Sequence, residues 1–170
     1  DRIRKLIAGA RSAIPEVALR TSIIIGFPGE TRKIFSNLLE FVKEARFDHL
    51  GAFTYSKEEG TPAAELLSRI SQKEKEARRQ MLMEEQAVIS YQINMALRGT
   101  VQDVLIEGAS DDPSYPFIGR CRRQAPDIDG VTYIKGKDLK NGDIIPVRIV
   151  DSRDYDLYAE VQNKKKTQGA

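Results

Sequence analysis

The run Ser22 to Thr31, SIIIGFPGET, constrains this chain more than any other stretch. Val17, Leu19, Ile23, Ile24 and Ile25 read as a buried strand, and the glycines and proline after them read as a turn. An amphipathic helix follows, with Ile34, Phe35, Leu38, Leu39, Val42 and Ala45 on one side. A strand, a shaped loop and a helix belong to parallel α/β sheets, whose ligands bind at the carboxyl edge of the strands. Gly26 can adopt a backbone angle or a close contact that a side chain forbids, Pro28 fixes one dihedral, and Gly29 relaxes the next. The residues leave two readings open: a loop shaped to approach a ligand, or simply a turn.

Upstream, Ile3, Leu6, Ile7 and Ala10 follow helical spacing to about Ile14 and Pro15, and Glu16 to Ile25 supplies the strand. Asp1 already stands inside the helical pattern, so the start reads as a cut through a domain. Downstream, Leu50 to Tyr55 completes a βαβ unit. Such a unit buries both faces of its strands and needs neighbours, so the first half reads as the last third of a larger parallel α/β domain. The second strand runs into TYSKEEGTPA, where Thr61-Pro62 begins a short helical turn. Either Tyr55 and Ser56 line a pocket opposite Glu30, or Tyr55 packs edgewise in the core and Glu58 and Glu59 are solvated surface. His49, at the opposite end of that strand, is a poor metal candidate.

Ser71 and Glu74 fit a capping box that opens a helix of about 25 residues. Ala77, Met81, Val88, Tyr91 and Met95 form its packing stripe, with Leu82, Ile89, Ile93 and Ala96 beside them. From Gly99 the period changes to two. Thr100 to Glu107, Tyr115 to Arg123, Val131 to Ile134, Asp143 to Val150 and Leu157 to Val161 read as five strands of a small antiparallel β-barrel of the oligonucleotide-binding class. The expected division is residues 1–97, including the long helix from 71, then the barrel at 98–162 and a basic tail at 163–170 with Lys164 to Lys166.

Barrels of this size often hold RNA. Arg120, Arg122, Arg123, Lys135, Lys137, Lys140, Arg148 and Arg153, with Tyr115, Phe117 and Tyr133, are candidates for such a face. Many aspartates oppose them, and from residue 98 onward the chain carries 12 basic and 12 acidic residues. That balance suits protein recognition at least as well as phosphate binding, leaving direct nucleic-acid contact secondary. Cys121 is the single cysteine, which excludes an internal disulfide and any cysteine-only metal site made by this chain alone; its place in a strand predicts burial. The sequence lacks the 18-residue apolar run of a membrane span, and a cytoplasmic protein without a membrane partner is expected.

The segments RTSIIIGFPGET, FTYSKEEGTPA, the long helix, GRCRRQAPDIDGVTYI and GDIIPVRIVDSRDYDLYAEV, in this order, resemble the methylthiotransferase branch of the radical S-adenosylmethionine enzymes. The final barrel resembles the small domain called TRAM. The resemblance covers essentially the whole chain and implies α/β plus all-β architecture: the carboxyl-terminal fragment of a partial, TIM-like β/α barrel, a linking helix and the five-stranded barrel. Tyr55-Ser56-Lys57-Glu58-Glu59-Gly60-Thr61 and Ala125-Pro126-Asp127-Ile128-Asp129-Gly130 resemble the members that modify a ribosomal protein. Those that modify transfer RNA carry an arginine in the first loop and a more basic second one.

The resemblance implies an enzyme with S-adenosylmethionine, two 4Fe-4S clusters and an electron donor. Its substrate would be a conserved aspartate of small-subunit ribosomal protein S12, on or near the ribosomal subunit, which receives a methylthio group at its β-carbon. The six cluster cysteines fall on no residue of this sequence, so the chain is expected to be a portion inactive by itself. By position, Ile24, Gly26 and Glu30 lie where the family approaches the adenine and ribose of S-adenosylmethionine. Thr54, Tyr55 and Ser56 lie where the next strand closes over the adenine. Arg20 pairs with a carboxylate of cofactor or substrate, or with a neighbouring acid. Arg120, Arg122, Pro126, Asp127 and Asp129 are the expected contacts to the protein substrate; none is assigned a catalytic or metal-ligating role. The competing readings are a transfer-RNA adenosine methylthiotransferase and a non-enzymatic module that binds RNA or ribosomal protein.

Overall fold

The computed structural model describes residues 1–67 and 70–162; the expected tail at 163–170 lies outside the described residues. The chain forms two compact units, Asp1–Ser90 and the part from Tyr91 onward.

In the first unit, α1 (Arg2–Ala13), β1 (Arg20–Ile25), α2 (Arg32–Ala45), β2 (His49–Thr54), a 3₁₀ turn (Pro62–Glu65) and α3 (Gln72–Ala96, as far as Ser90) follow one another. The Thr31 hydroxyl caps α2 by accepting the Ile34 N–H at 3.2 Å, and Arg46 ends the helix in the left-handed region. β1 and β2 pair in parallel, from Arg20 opposite His49 to Ile25 opposite Thr54. Ile25, Phe35, Val42, Ala45, Phe47, Leu50 and Ala52 are buried, as are Leu82 and Ile89 of α3. The opposite sheet face is open: the cross-strand partners Ile24 and Phe53 are 57% and 60% exposed.

The strand is shorter and less buried than the apolar run predicts. Glu16 takes a φ of +62° within a turn in which the Val17 N–H donates to the Ile14 carbonyl, so extended backbone begins only at Arg20. Alternation then sends Ile25 inward and Ile24 outward. The expected α3 stripe is also displaced, because Met81, Val88 and Tyr91 are exposed. The buried face runs Lys75, Arg78, Leu82, Gln86, Ile89, Ser90. Its polar members find partners near β2: the Gln86 amide donates to the Phe47 carbonyl at 2.8 Å and to Ser90 Oγ at 2.9 Å. Of the capping box only half forms. Ser71 Oγ accepts the Glu74 N–H, while the Glu74 carboxylate turns to Arg78.

In the second unit, β3 (Val101–Ala109), β4 (Phe117–Cys121), β5 (Thr132–Lys135), β6 (Ile144–Ser152) and β7 (Leu157–Val161) close a barrel in the order β3-β4-β5-β7-β6. Val104, Ile106, Cys121, Ile134, Val147, Ile149, Leu157 and Ala159 fill it. The all-antiparallel expectation needs correction, since β5 and β7 pair in parallel. Directions cannot alternate around a closed ring with an odd number of strands, so one pair has to run the same way. Register shifts at Ile106/Gly108 and Ile149/Asp151 bend the two longest strands around the barrel.

A β-carbon on Gly119 would strike the Leu105 carbonyl of the neighbouring strand. Gly119→Ala is therefore expected to destabilise the barrel by about 1–3 kcal/mol, the usual range for overpacking, as read by denaturant titration. Burial pushes the Cys121 thiol above its ordinary pKa, outweighing the nearby Arg123. The native protein should accordingly resist a thiol-specific reagent at mildly alkaline pH and react promptly once denaturant is added.

Candidate functional site

Phe27-Pro28-Gly29-Glu30, at the carboxyl end of β1, forms a type II turn. Proline takes the second position, glycine the third at φ +93°, and the Glu30 N–H donates to the Phe27 carbonyl at 2.9 Å. Gly26 sits at φ +76°, and a β-carbon there would collide with Lys75 Cγ. The close approach that requires glycine here is thus made by the stem of Lys75 from α3. Glu30 uses both carboxylate oxygens. One accepts the Gly26 N–H at 2.8 Å, and the other meets Arg78 Nη1 at 2.6 Å.

Arg78 also reaches Glu74 at 2.7 Å, and its guanidinium lies 5.4 Å from the centre of the Phe35 ring. The side chains of Arg78 and Glu30 are only 5% and 7% exposed. Burial opposes the charge on Arg78, and the hydrogen bonds to Glu30 and Glu74 more than offset it, so its pKa stands above the ordinary guanidinium value.

The end of β2 joins the same cluster. The Tyr55 N–H donates to the Ile25 carbonyl at 2.8 Å, Lys75 Nζ donates to the Tyr55 carbonyl at 2.8 Å, and the Tyr55 ring meets Phe27 edge-on at 5.2 Å. Lys75 Nζ also lies 5.2 Å from the centre of the Tyr55 ring. The Tyr55 hydroxyl is buried and, among the described residues, has no hydrogen-bond partner.

Of the six residues placed by resemblance in the cofactor pocket, Gly26, Glu30 and Tyr55 meet in this cluster. Thr54 is half-buried with its hydroxyl 3.4 Å from the Gln72 amide. Ile24 lies on the open sheet face, and Ser56 is exposed. Arg20, at the other end of β1, stands opposite His49. Lys57, Glu59, Thr61 and Glu65 line a separate open concavity of about 650 Å³ in the loop that follows β2. Sequence reasoning missed Lys75 and Arg78; the signal available for them was their place in the helical spacing 75-78-82-86-89.

On the barrel, Arg120 pairs with Glu107 of the neighbouring strand at 3.2 Å. Arg122 is exposed, as are Pro126 and Asp127 at the tip of the following loop, where Asp127 takes a φ of +62°. Asp129 turns inward and accepts the Ala125 N–H at 2.7 Å, closing that loop on itself. The candidates Tyr115 and Tyr133 both meet a third tyrosine, Tyr158, which sequence reasoning missed. Tyr133 and Tyr158 face each other across β5 and β7 with stacked rings 5.1 Å apart, Tyr115 meets Tyr158 edge-on at 5.0 Å, and the Arg153 guanidinium lies 5.4 Å from the Tyr158 ring centre. Burial raises the Tyr158 pKa; Arg153 opposes the shift, and the negative charges of Asp156 and Asp112 add to it.

Removing one member of the buried Arg78–Glu30 pair leaves the other charge uncompensated, so Arg78→Met is expected to cost on the order of 3–5 kcal/mol in the stability of the first unit. Chemical denaturation would measure it, and Arg78→Met with Glu30→Gln together should cost less than the sum of the two single changes.

Residues 99–161 match the TRAM domain family. Across nearly its whole length the chain is also similar to proteins named ribosomal protein uS12 methylthiotransferase RimO. That of Syntrophus aciditrophicus is 60% identical over 161 residues, covering 94% of this chain and 36% of the relative. Those of Pelobacter propionicus and Geobacter sulfurreducens are 49% and 50% identical, covering 96% and 94% of this chain and 36% of each relative. The chain spans about a third of the length of the curated relatives it matches. Identity at this level over both compact units, together with the TRAM match on the barrel, makes the chain similar throughout to about a third of a uS12 methylthiotransferase.

Proposed function

We propose that this chain is the carboxyl-terminal portion of an enzyme that adds a methylthio group to the β-carbon of an aspartate in ribosomal protein uS12. The observation that carries this reading is the 60% identity, over 94% of the chain, to a protein of that name. In this reading residues 1–97 belong to the catalytic domain and 98–162 to a barrel that recognises substrate, and the enzyme works in the cytoplasm.

Charge favours a protein substrate over RNA. From Gly99 to Val161 the barrel carries eight lysines and arginines against twelve aspartates and glutamates, a net of −4. Phosphate recognition relies on concentrated positive charge, whereas a basic polypeptide is drawn to such a surface. Arg120, Arg122, Pro126 and Asp127 are the residues we assign to substrate contact, and Asp129 holds their loop in shape.

The cluster at the carboxyl edge of β1 and β2 suits S-adenosylmethionine. It offers a glycine-shaped backbone at the strand edge and, on the open sheet face, the exposed apolar side chains of Ile24 and Phe53. Ile24 and Phe53 supply apolar surface for the adenine, and the backbone of Thr54 and Ser56 supplies polar contacts, while Gly26 and Tyr55, whose backbone groups serve Glu30, Ile25 and Lys75, shape the edge with Arg78. The cofactor and two 4Fe-4S clusters, fed by an electron donor, supply radical removal of an unactivated hydrogen and delivery of sulfur, chemistry that side chains alone do not provide. The single cysteine of this sequence is buried in the barrel, so cluster-binding cysteines would come from outside these 170 residues.

Anaerobic expression of the complete protein with uS12, followed by mass spectrometry, tests the reading. One aspartate of uS12 should carry a methylthio group in place of a hydrogen. Methylthiolated adenosine in transfer RNA with unmodified uS12 would instead assign the protein to the nucleoside-modifying branch.

A further inference from the structure

We propose that the tyrosine group on the outer face of the barrel, Tyr115, Tyr133 and Tyr158, is a docking point for an arginine side chain of a basic polypeptide. Strand register builds it. On β5 and β7 the buried positions are Thr132, Ile134, Leu157 and Ala159, so Tyr133 and Tyr158 turn outward, and the parallel pairing sets them opposite each other. Their rings stack at 5.1 Å, and Tyr115, from the loop before β4, adds its edge-on contact at 5.0 Å. All three residues are half-buried, which leaves part of each open to solvent.

The group already holds one guanidinium. Arg153 is exposed, lies over the Tyr158 ring at 5.4 Å and has no ion pair among the described residues. A tyrosine face attracts a cation through its ring quadrupole, and a planar guanidinium stacks there better than an ammonium. An exposed contact of this kind is weak, so a second guanidinium exchanges with it at little cost. The backbone beneath is held in place. Asn94 Nδ2 donates to the carbonyls of Arg153 and Asp154 at 3.4 and 3.1 Å, and the Arg153 N–H donates to the Asp156 carbonyl at 2.8 Å. Rings and loop form a shaped surface from which the Arg153 side chain can be displaced.

Charge selects the occupant. Beyond burial and the opposing Arg153, the negative charges of Asp156 and Asp112 reach the Tyr158 phenol. Asp156 accepts the Val131 N–H at 2.9 Å and Asp112 the Ser114 N–H at 2.8 Å, which fixes each carboxylate without neutralising it. Neither has an ion-pair partner among the described residues. Aromatic faces beside carboxylates fit a cationic side chain. A nucleic-acid strand also stacks on tyrosines, but its phosphates would meet these carboxylates on a barrel whose acidic residues outnumber its basic ones twelve to eight. On the proposed function, on which this inference rests for the identity of the partner, the polypeptide is uS12, and the tyrosine group is an anchor beyond Arg120, Arg122, Pro126 and Asp127.

Two experiments decide the matter. In the first, fluorescence anisotropy follows the binding of labelled glycine-rich peptides, carrying arginine, lysine or citrulline at the same positions, to the complete protein. A preference of about three- to tenfold for arginine over lysine is expected, with no saturable binding of the citrulline peptide. Tyr158→Leu should abolish the preference and Tyr133→Leu reduce it. Arg153→Gln, which removes the resident cation, should tighten binding of the arginine peptide about two- to fivefold. It alters only an exposed side chain and so tests the site even if leucine at either ring position unfolds the barrel. Equal affinity for arginine and lysine peptides in the wild type, a preference that survives in folded Tyr158→Leu, or an Arg153→Gln variant that binds no more tightly overturns the proposal. So does a labelled oligouridylate that binds more tightly than the arginine peptide and loses its affinity in Tyr158→Leu, which assigns the rings to base stacking.

In the second, methylthiolation of uS12 by the complete holoenzyme is compared with that by its Tyr158→Leu variant. The KM for uS12 should rise by a larger factor than kcat falls. An unchanged KM in a variant that has lost its peptide preference overturns uS12 as the occupant. A wild-type holoenzyme that does not modify uS12 defeats the proposed function, and the peptide titration then decides the docking point without it.

Discussion

The first unit depends on the meeting of Arg78 with Glu30. Each charge is almost wholly removed from water, a state that is tolerable only when the partner is present and well placed. The pairing therefore specifies more than it stabilises: it fixes which face of α3 turns inward and where the loop after β1 must stop. Because Glu30 also holds the Gly26 N–H, the left-handed backbone at Gly26, the type II turn and the first turns of α3 form one arrangement. Lys75 fits into that arrangement through the space that a glycine side chain leaves vacant.

Local pattern revealed the parts of this chain whose cause is local. The Pro28-Gly29 turn, the Thr31 cap and the change of period at Gly99 are set by neighbouring residues, and the expected barrel strands fall within a few residues of those observed. The inward face of α3 was not legible in the same way. Apolar periodicity assumes that burial follows hydrophobicity, and here long polar side chains are buried because acceptors distant in sequence wait for them: Glu30, the Phe47 carbonyl and the Tyr55 carbonyl. Met81, Val88 and Tyr91 consequently face outward although their spacing is that of a packing stripe.

The barrel shows a related division between what a motif signals and what each residue in it does. In Ala125 to Gly130, Asp129 is committed to an internal hydrogen bond, and a β-carbon on Gly130 would strike the Tyr155 carbonyl, so both ends of the motif are occupied with closing the loop. Only its tip, Pro126 to Ile128, is open to solvent. The tyrosine group gathers residues from β5, β7 and the loop before β4, a conjunction that register creates and linear spacing conceals.

The order in which the barrel strands join also governs when it can exist. β7, the last strand among the described residues, lies between β5 and β6 and supplies the parallel seam of the barrel. Until Val161 has left the ribosome, a nascent chain holds four strands with two unsatisfied edges and an unsealed core containing Cys121 and Ile149. Domains tend to fold as units, and pairings between distant strands form slowly. The TRAM barrel is thus completed only as the residues of β7 emerge. A chain truncated a few residues before Val161 would lose the seam, and with it the barrel, rather than merely a strand.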